Sequence, residues 1–503
     1  MEIFHSVYIK TSKIINQLFN SSKKTIMKKQ IIKITCLLLI SPMLFSFCGI
    51  YVSKSDGTLK NKASQVILVR DGEQTVVTMY NDFKGDPKDF AMVVPVPVLL
   101  ERKDIRVVSP AIFQKLNAYS SPRLVEYYDE NPCYGRQWED KESVNEKSIM
   151  VTSADSYRIA KKNKSGVTIE AQYLVGEYDI LILSAKESSG LKRWLLENGY
   201  KIPSKAEEVL EPYIKSNLKF FVAKVNAKQA GKIQKGSFLS PLQISFSSPK
   251  FILPIRLGMA NGDGDQDLII YSFTRQGRIE SVNYRNVEMP TGNNIPLFVK
   301  DNFDRFYGET FAHKWEQEGK NIALLEYAWD VTPVNPVKCD PCVGNPPVDQ
   351  DIVQAGVWWL NNFNQQNFQQ TFFTRLHVRY NRNSFPQDLQ FQVTPNQTAF
   401  QARYVVTHPA EGDLTCDQGK AYLKELKVKR RKELRNLVYL TGSTIEDYLS
   451  NTEPDSDNDV AYQTLLPEVE QERESERTIF PGMALIAVVL VTGAGLMRWK
   501  GMI

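Results

Sequence analysis

The sequence has no G-x-S-x-G nucleophile elbow, no H-E-x-x-H metal helix and no phosphate-binding P-loop. Those absences remove the commonest hydrolase, metalloprotease and nucleotide-binding readings. Histidine is scarce, at four residues in 503. The C-x-x-C spacing occurs once, at Cys339 and Cys342, so a zinc site built from two such pairs is excluded. No internal repeat recurs at the period of a solenoid. The body of the chain also lacks net positive charge. The formal charge is +5, but residues 1–47 hold seven lysines against Glu2. Removing these from 62 basic and 57 acidic residues leaves 55 and 56, a net of −1. A nucleic-acid partner therefore has no compositional support.

What is there begins with targeting. From Met27 the text reads MKKQIIKITCLLLISPMLFSFC. Lysines precede a short apolar run from Ile34 to Ile40, and Ser41-Pro42 breaks it. This is the design of a secretory signal peptide at 27–47, and it makes residues 1–26 a dispensable N-terminal extension. Phe47 is too large a neighbour for Cys48 to be a lipid-modified cysteine. At the other end, Ile479 to Met497 (IFPGMALIAVVLVTGAGLM) has the length and apolarity to span a bilayer. Arg498 and Lys500 follow it, and positive flanks stay in the cytoplasm. The expectation is a body outside the cytoplasm, periplasmic or extracellular, held to the membrane by one C-terminal anchor at 479–497 with a tail at 498–503. Residues 446–478 form an acidic linker, in which Asn451 to Thr478 carries nine acids against Arg473 and Arg477.

The body reads as an N-terminal α+β part at 48–250 and a C-terminal β-rich part at 251–445 that ends in a helix. Ala63 to Arg70 and Thr75 to Met79 are strands around an Asp71-Gly72 hairpin turn. Met92 to Leu99 alternates valine with Pro95 and Pro97. Proline cannot donate to a ladder, so an edge strand is expected there. Ser109 to Tyr119 and Pro122 to Tyr128 are expected to be short helices. Strands at Val167 to Val175 and Tyr178 to Ser184 pair around Gly176, with helices at Leu191 to Asn198 and Lys205 to Ser216. Strands dominate from Gln243 to Glu288 and return at Gln370 to Tyr380, Leu389 to Val393 and Phe400 to Thr407. This order predicts an α+β fold: mixed, largely antiparallel sheets with peripheral helices, plus one C-terminal transmembrane helix. The last helix of the body, about Cys416 to Leu440, sets an apolar stripe of Leu423, Leu426, Leu434 and Leu437 against a basic remainder from Lys420 to Arg435. That basic surface could meet anionic headgroups, fold back on the acidic linker, or face solvent.

Several stretches carry a family likeness. NDFKGDPKDFAMVVPVPVLLERKDI is followed by LNAYSSPRLVEYYDENPC, and later by LGMANGDGDQDLIIY, TRLHVRYNRNSFPQDLQFQ and FQARYVVTHP. Together they resemble the bacterial domain of unknown function 2330 family, over roughly residues 48–445. The resemblance implies an exported, often membrane-anchored bacterial protein. It implies no activity, since none is assigned to the family.

Three sets of residues could carry chemistry. Cys133, Cys339, Cys342 and Cys416 are disulfide candidates, because thiols outside the cytoplasm are usually oxidised. Cys339-Asp-Pro-Cys342 has redox spacing but lies in a proline-rich loop without the helix start that would activate a thiol. Structural disulfides from this loop to Cys133 and Cys416 are expected instead. Asn261, Asp263, Asp265 and Asp267 alternate with glycine and glutamine as calcium-binding oxygens do. Position twelve is Ser272, so the loop is no EF-hand, and a plain hairpin turn has the same composition. On a strand, Arg375, His377 and Arg379 share one face, which could grip an anion or pair with structural acids such as Asp388. The two guanidinium groups are expected to disfavour a protonated His377.

No catalytic residue and no cofactor is assigned. The leading expectation is a non-catalytic binding or interaction module with the membrane and an envelope protein as partners. A small-molecule ligand is left open. A thiol oxidoreductase-like enzyme using Cys339 and Cys342, or a calcium-stabilised envelope scaffold, are the alternatives.

Overall fold

Apolar runs such as ASQVILVR leave no polar face, so a strand made from one must be buried on both sides. A computed structural model of the chain shows how. The described residues are 50–53, 64–81, 90–134, 161–162, 167–200, 206–225, 239–260, 264–332, 346–360 and 369–445. The N-terminal extension, signal peptide, acidic linker, membrane anchor and tail lie outside them, as do Cys48, Cys339, Cys342, Asn261 and Asp263. Among the described residues, no helix is long and apolar enough to cross a membrane. All of them fall within one unit, Phe45–Ile503.

The chain opens with β1 (Ile50–Ser53), β2 (Ser64–Asp71), β3 (Gln74–Asn81), β4 (Phe90–Val96) and β5 (Ile105–Val107), then α1 (Ala111–Ser120) and β6 (Arg123–Tyr128). The β2–β3 hairpin turns at Gly72, whose φ of 57° suits a residue without a Cβ. Next come β7 (Lys161–Lys162), β8 (Val167–Val175), β9 (Tyr178–Ala185), α2 (Ser188–Glu197), α3 (Ala206–Lys215) and β10 (Lys219–Val225). A run of strands follows: β11 (Leu242–Ser247), β12 (Ile252–Leu253), β13 (Gln266–Thr274), β14 (Ile279–Ser281), β15 (Arg285–Glu288) and β16 (Asn293–Asn294). The chain then forms α4 (Phe303–Gln317), β17 (Ile322–Asp330), α5 (Asp349–Gln354), β18 (Phe372–Tyr380), β19 (Leu389–Val393), β20 (Phe400–Gln401), β21 (Arg403–His408) and α6 (Asp417–Thr441).

Two large sheets result. A six-stranded sheet has the order β1-β4-β10-β9-β8-β7, and a nine-stranded sheet the order β15-β17-β18-β13-β2-β3-β11-β5 with β20 beside β17. Pairing in the first is antiparallel throughout. The second is mixed, with β2 and β13 parallel and β15 and β17 parallel. Strands from both sides of residue 250 interleave in this sheet, so the two sequence parts share one structure.

Alternation along β2 accounts for its continuous apolar text. Val66 and Leu68 enter the core between the two sheets, with Val94 of β4 and Phe221 of β10. Ile67 and Val69 enter a second core, under α1 and α5, with Phe113, Leu116 and Ile352. The far face of the six-stranded sheet is covered by α2 and α3 through Leu191, Trp194, Val209 and Leu210. Layers therefore run helices, sheet, sheet, helices. A fourth cluster packs α6 on α4 and β21 through Phe306, Tyr404, Leu434 and Leu437.

One expectation is corrected and another is met in part. Pro122 to Tyr128 is not a helix but the strand β6, parallel to β21; Leu124, Val125 and two tyrosines suit an extended backbone. The proline-bearing β4 is an inner strand at its start and, among the described residues, an edge from Val94 to Val96, which includes Pro95. It has β1 on one side, covering Phe90 to Val93, and β10 on the other, with Phe220 opposite Pro95. Pro95 is buried and lies past the last residue that β1 covers, so its missing N–H costs that ladder nothing.

Candidate functional site

Where β4 leaves the cover of β1, the two sheets part around a cavity of about 200 Å³. One wall is Val77 and Met79 of β3 with Ile244 and Phe246 of β11. The opposite wall is Val94, Pro95 and Pro97 from β4 and its continuation, and Pro212, Tyr213 and Ser216 from α3 and its end. Ile252, Leu253 and Pro254 close a third side. Strand alternation explains the lining. Val77 and Met79, like Ile244 on the neighbouring strand, point to the face that also holds the inter-sheet core. The prolines add rigid apolar surface without a backbone donor, so β4 contributes a wall with fewer polar groups to satisfy.

The polar groups of the cleft are few. Asp388 Oδ1 accepts from the Tyr213 hydroxyl at 2.7 Å and from the Arg256 backbone N–H at 3.1 Å. Burial pushes its carboxyl above the usual carboxylate range, against the pull of those bonds. Lys250 and Ser216 are exposed and stand at the mouth. Ile252, at 36% exposure, is the apolar part of the rim. Preformed apolar walls with a small number of placed polar groups are the usual build of a small-ligand pocket.

The charged set on β18 is a different structure. Arg375, His377 and Arg379 do share a face, but two acids from neighbouring strands meet them. Glu326 of β17 accepts from Arg375 Nε at 2.5 Å and faces His377 Nδ1 at 2.8 Å. Asp267 of β13 takes Arg379 in a two-pronged pair at 2.8 and 2.9 Å and lies 3.3 Å from His377 Nε2. Tyr307 of α4 donates its hydroxyl to Glu326. Arg375 Nη1 reaches Asn117 of α1 at 2.8 Å. Phe311 stacks on the His377 ring at 3.9 Å, with Arg379 over the same phenyl ring at 4.7 Å.

The electrostatics follow from that geometry. Burial would push Glu326 up, but Arg375 and His377 outweigh it and hold the carboxyl at about 2. Asp267 is likewise held well below the usual range by His377 and Arg379 against its burial. Burial pulls His377 down, yet Glu326 and Asp267 raise it above the ordinary imidazole value. The expected suppression of the imidazolium is thus reversed, because two carboxylates flank the ring and offset the guanidinium groups. Of the two expected uses of the basic face, anion grip or pairing with structural acids, the structure has the second: both guanidinium groups close on internal acids. Their partners are Glu326 and Asp267, and Asp388 belongs to the cleft.

The remaining candidates fall elsewhere. Cys133 and Cys416 form a disulfide with each other, across 283 residues, joining the segment after β6 to the N-cap of α6. The expected bridges from Cys339 and Cys342 to these two are therefore replaced by this pairing. Of the acidic loop, Asp265 accepts from Asn381 at 2.5 Å and both Asp267 oxygens are taken by Arg379. Among the described residues, no group of three or more His, Cys, Asp or Glu is placed to hold a metal ion. The cleft went unmarked in the sequence because its lining comes from five separated segments. The one local signal was VVPVPV, whose prolines read as an edge.

Comparison with known proteins gives one match. The family model described as an uncharacterized protein conserved in bacteria, DUF2330, covers residues 42–392. No curated protein and no solved structure matches the chain.

Proposed function

The chain belongs to the DUF2330 family of bacterial proteins, and from that premise we propose that it is a membrane-anchored, extracytoplasmic binding module whose cleft receives an acyl or alkyl group of an envelope molecule. The observation that carries the reading is the apolar cavity between the sheets, with Lys250 at its mouth. The leader at 27–47 and the apolar stretch Ile479 to Met497 support the placement outside the cytoplasm on a single anchor. A protein working beside a bilayer meets acyl chains, and the cleft offers them apolar walls with a cation for an anionic head.

A fluorescent fatty-acid analogue titrated into the full chain tests this. Saturable binding is expected, with affinity lowered at least about tenfold, the equivalent of about 1.4 kcal/mol, by Ile252→Trp combined with Ser216→Trp. Both positions are exposed rim residues, so the fold tolerates the change. Unsaturable binding, or equal binding by the variant, would sink the reading.

A second reading draws on the disulfide. Because Cys133 and Cys416 use each other, Cys339 and Cys342 are left as a C-x-x-C pair that can close on itself. In that reading the pair is a dithiol–disulfide couple. Peptide mapping without reduction should find a Cys339–Cys342 bond that glutathione opens before the Cys133–Cys416 bond. A link from either to Cys48 would end it.

A further inference from the structure

The helix α6 spans 25 residues, and only part of its circumference is used by the fold. Leu434, Leu437 and Leu440 are buried against α4 and β21. Arg430 is buried and paired with Glu433 at 2.9 Å, and Lys429 is held by Asp129 at 3.3 Å. The other side is different. At 3.6 residues per turn, Lys420, Lys424, Lys427 and Lys432 fall within one half of the helix surface, and all four are exposed. Two large apolar side chains lie on the same half, Val428 at 61% and Tyr439 at 73% exposure, while Leu423 lies toward the buried side. The acids at this face are Glu425 at its margin and Asp417, which sits 3.6 Å from Lys420.

We propose that this outward face of α6 rests on an anionic bilayer surface, the lysines on lipid phosphates and Val428 and Tyr439 in the headgroup layer. This half of the helix mixes lysines with an exposed valine and an exposed tyrosine. That mixture is what an interfacial helix presents. Charge complementarity names the partner, since a lysine-bearing helix face is attracted to anionic lipid. The length of chain beyond α6 agrees. Residues 446–478 separate the body from the apolar stretch Ile479 to Met497, and a polar chain of that length spans about 30 Å on average. The inference rests on the anchored placement proposed above. It gives that placement a geometry: the body does not float at the end of its linker but lies against the membrane through one helix, stapled at its start by Cys416.

The test is lysine acetylation of the full chain in lipid vesicles, read by mass spectrometry at each site. Vesicles of phosphatidylcholine alone are compared with vesicles containing phosphatidylglycerol. Labelling of Lys420, Lys424, Lys427 and Lys432 should fall at least about threefold in the anionic vesicles and recover in high salt, which screens surface charge. Lys192 and Lys215, on α2 and α3, should label equally in both. Lys424→Glu with Lys427→Glu should abolish the difference at Lys420 and Lys432. Equal labelling in the two bilayers overturns the proposal. So does low labelling in both that is released when the acids of 451–478 are changed to their amides, because the acidic segment would then occupy the face. Failure of the chain to float with phosphatidylcholine vesicles would overturn the anchor alone, since the lysine comparison still reads the helix.

Discussion

Glu326 has no exposed side-chain surface, yet it keeps its charge because Arg375, His377 and Tyr307 are arranged around it. Replacing it by glutamine leaves a buried guanidinium without its counter-charge, which typically costs about 3–5 kcal/mol. Urea unfolding of Glu326→Gln should show a loss of that size, and a loss below about 1 kcal/mol would mean that the cluster carries little of the stability. The pH dependence has two sides. Glu326 and Asp267 are lowered on folding, so their contribution is complete above about 4.5 and is lost as pH falls, toward about 2 for Glu326 and lower still for Asp267. His377 is raised, so its contribution is complete below about 6.5 and is lost as pH rises through its folded value. Stability should therefore peak between these limits, and His377→Gln should flatten the alkaline side. Alternation on β18 made the basic face legible in the sequence. Its partners did not show, because they stand 51 and 110 residues away on strands whose pairing no local pattern specifies.

At the scale of elements, local chemistry spoke most clearly where it was self-sufficient. The β2–β3 and β8–β9 hairpins announced themselves by a glycine between apolar strands, and both are present, at Gly72 and Gly176. The long helix α6 ends where expected, at Gly442 in the left-handed region. A Cβ there would stand 2.5 Å from the His313 ring, so Gly442→Ala should destabilise the α4–α6 contact as well as strain the cap. Elements set by tertiary partners were less legible. β6 follows a helix and a proline and looks helical by itself; β21 makes it a strand. Pro95 blunts an edge only at the end of β4, past the residues that β1 covers. Pro97 lines the cleft, so Pro97→Val should leave the protein's mass by light scattering unchanged. The Cys133–Cys416 bond closes a chain loop across 283 residues. Changing both cysteines to serine should lower stability by about 2–4 kcal/mol, and loosening should begin at the start of α6, where hydrogen exchange reports it. Uniform exchange along α6 in that variant would contradict a local stapling role.

For the whole molecule, the sequence conveyed the class, mixed α and β with helices outside, but not the layering. Two sheets face each other because β2, β3, β4, β9 and β10 each alternate between two cores, and strands from both halves of the chain complete the larger sheet. That arrangement is what leaves room for the cleft: β4 continues past β1, the prolines keep it extended, and α3 and β12 wall the opening. Function at this scale is then a matter of what enters the cleft beside a membrane. The most direct measurement is photo-crosslinking of the full chain with a fatty acid carrying a diazirine near its methyl end, followed by peptide mapping. Adducts are expected on the segment Val94 to Pro97 and on Ile244 to Ile252, competed away by unlabelled fatty acid and lost in the Ile252→Trp, Ser216→Trp variant. Adducts spread over other surfaces, or unaffected by competitor, would contradict a ligand-binding cleft.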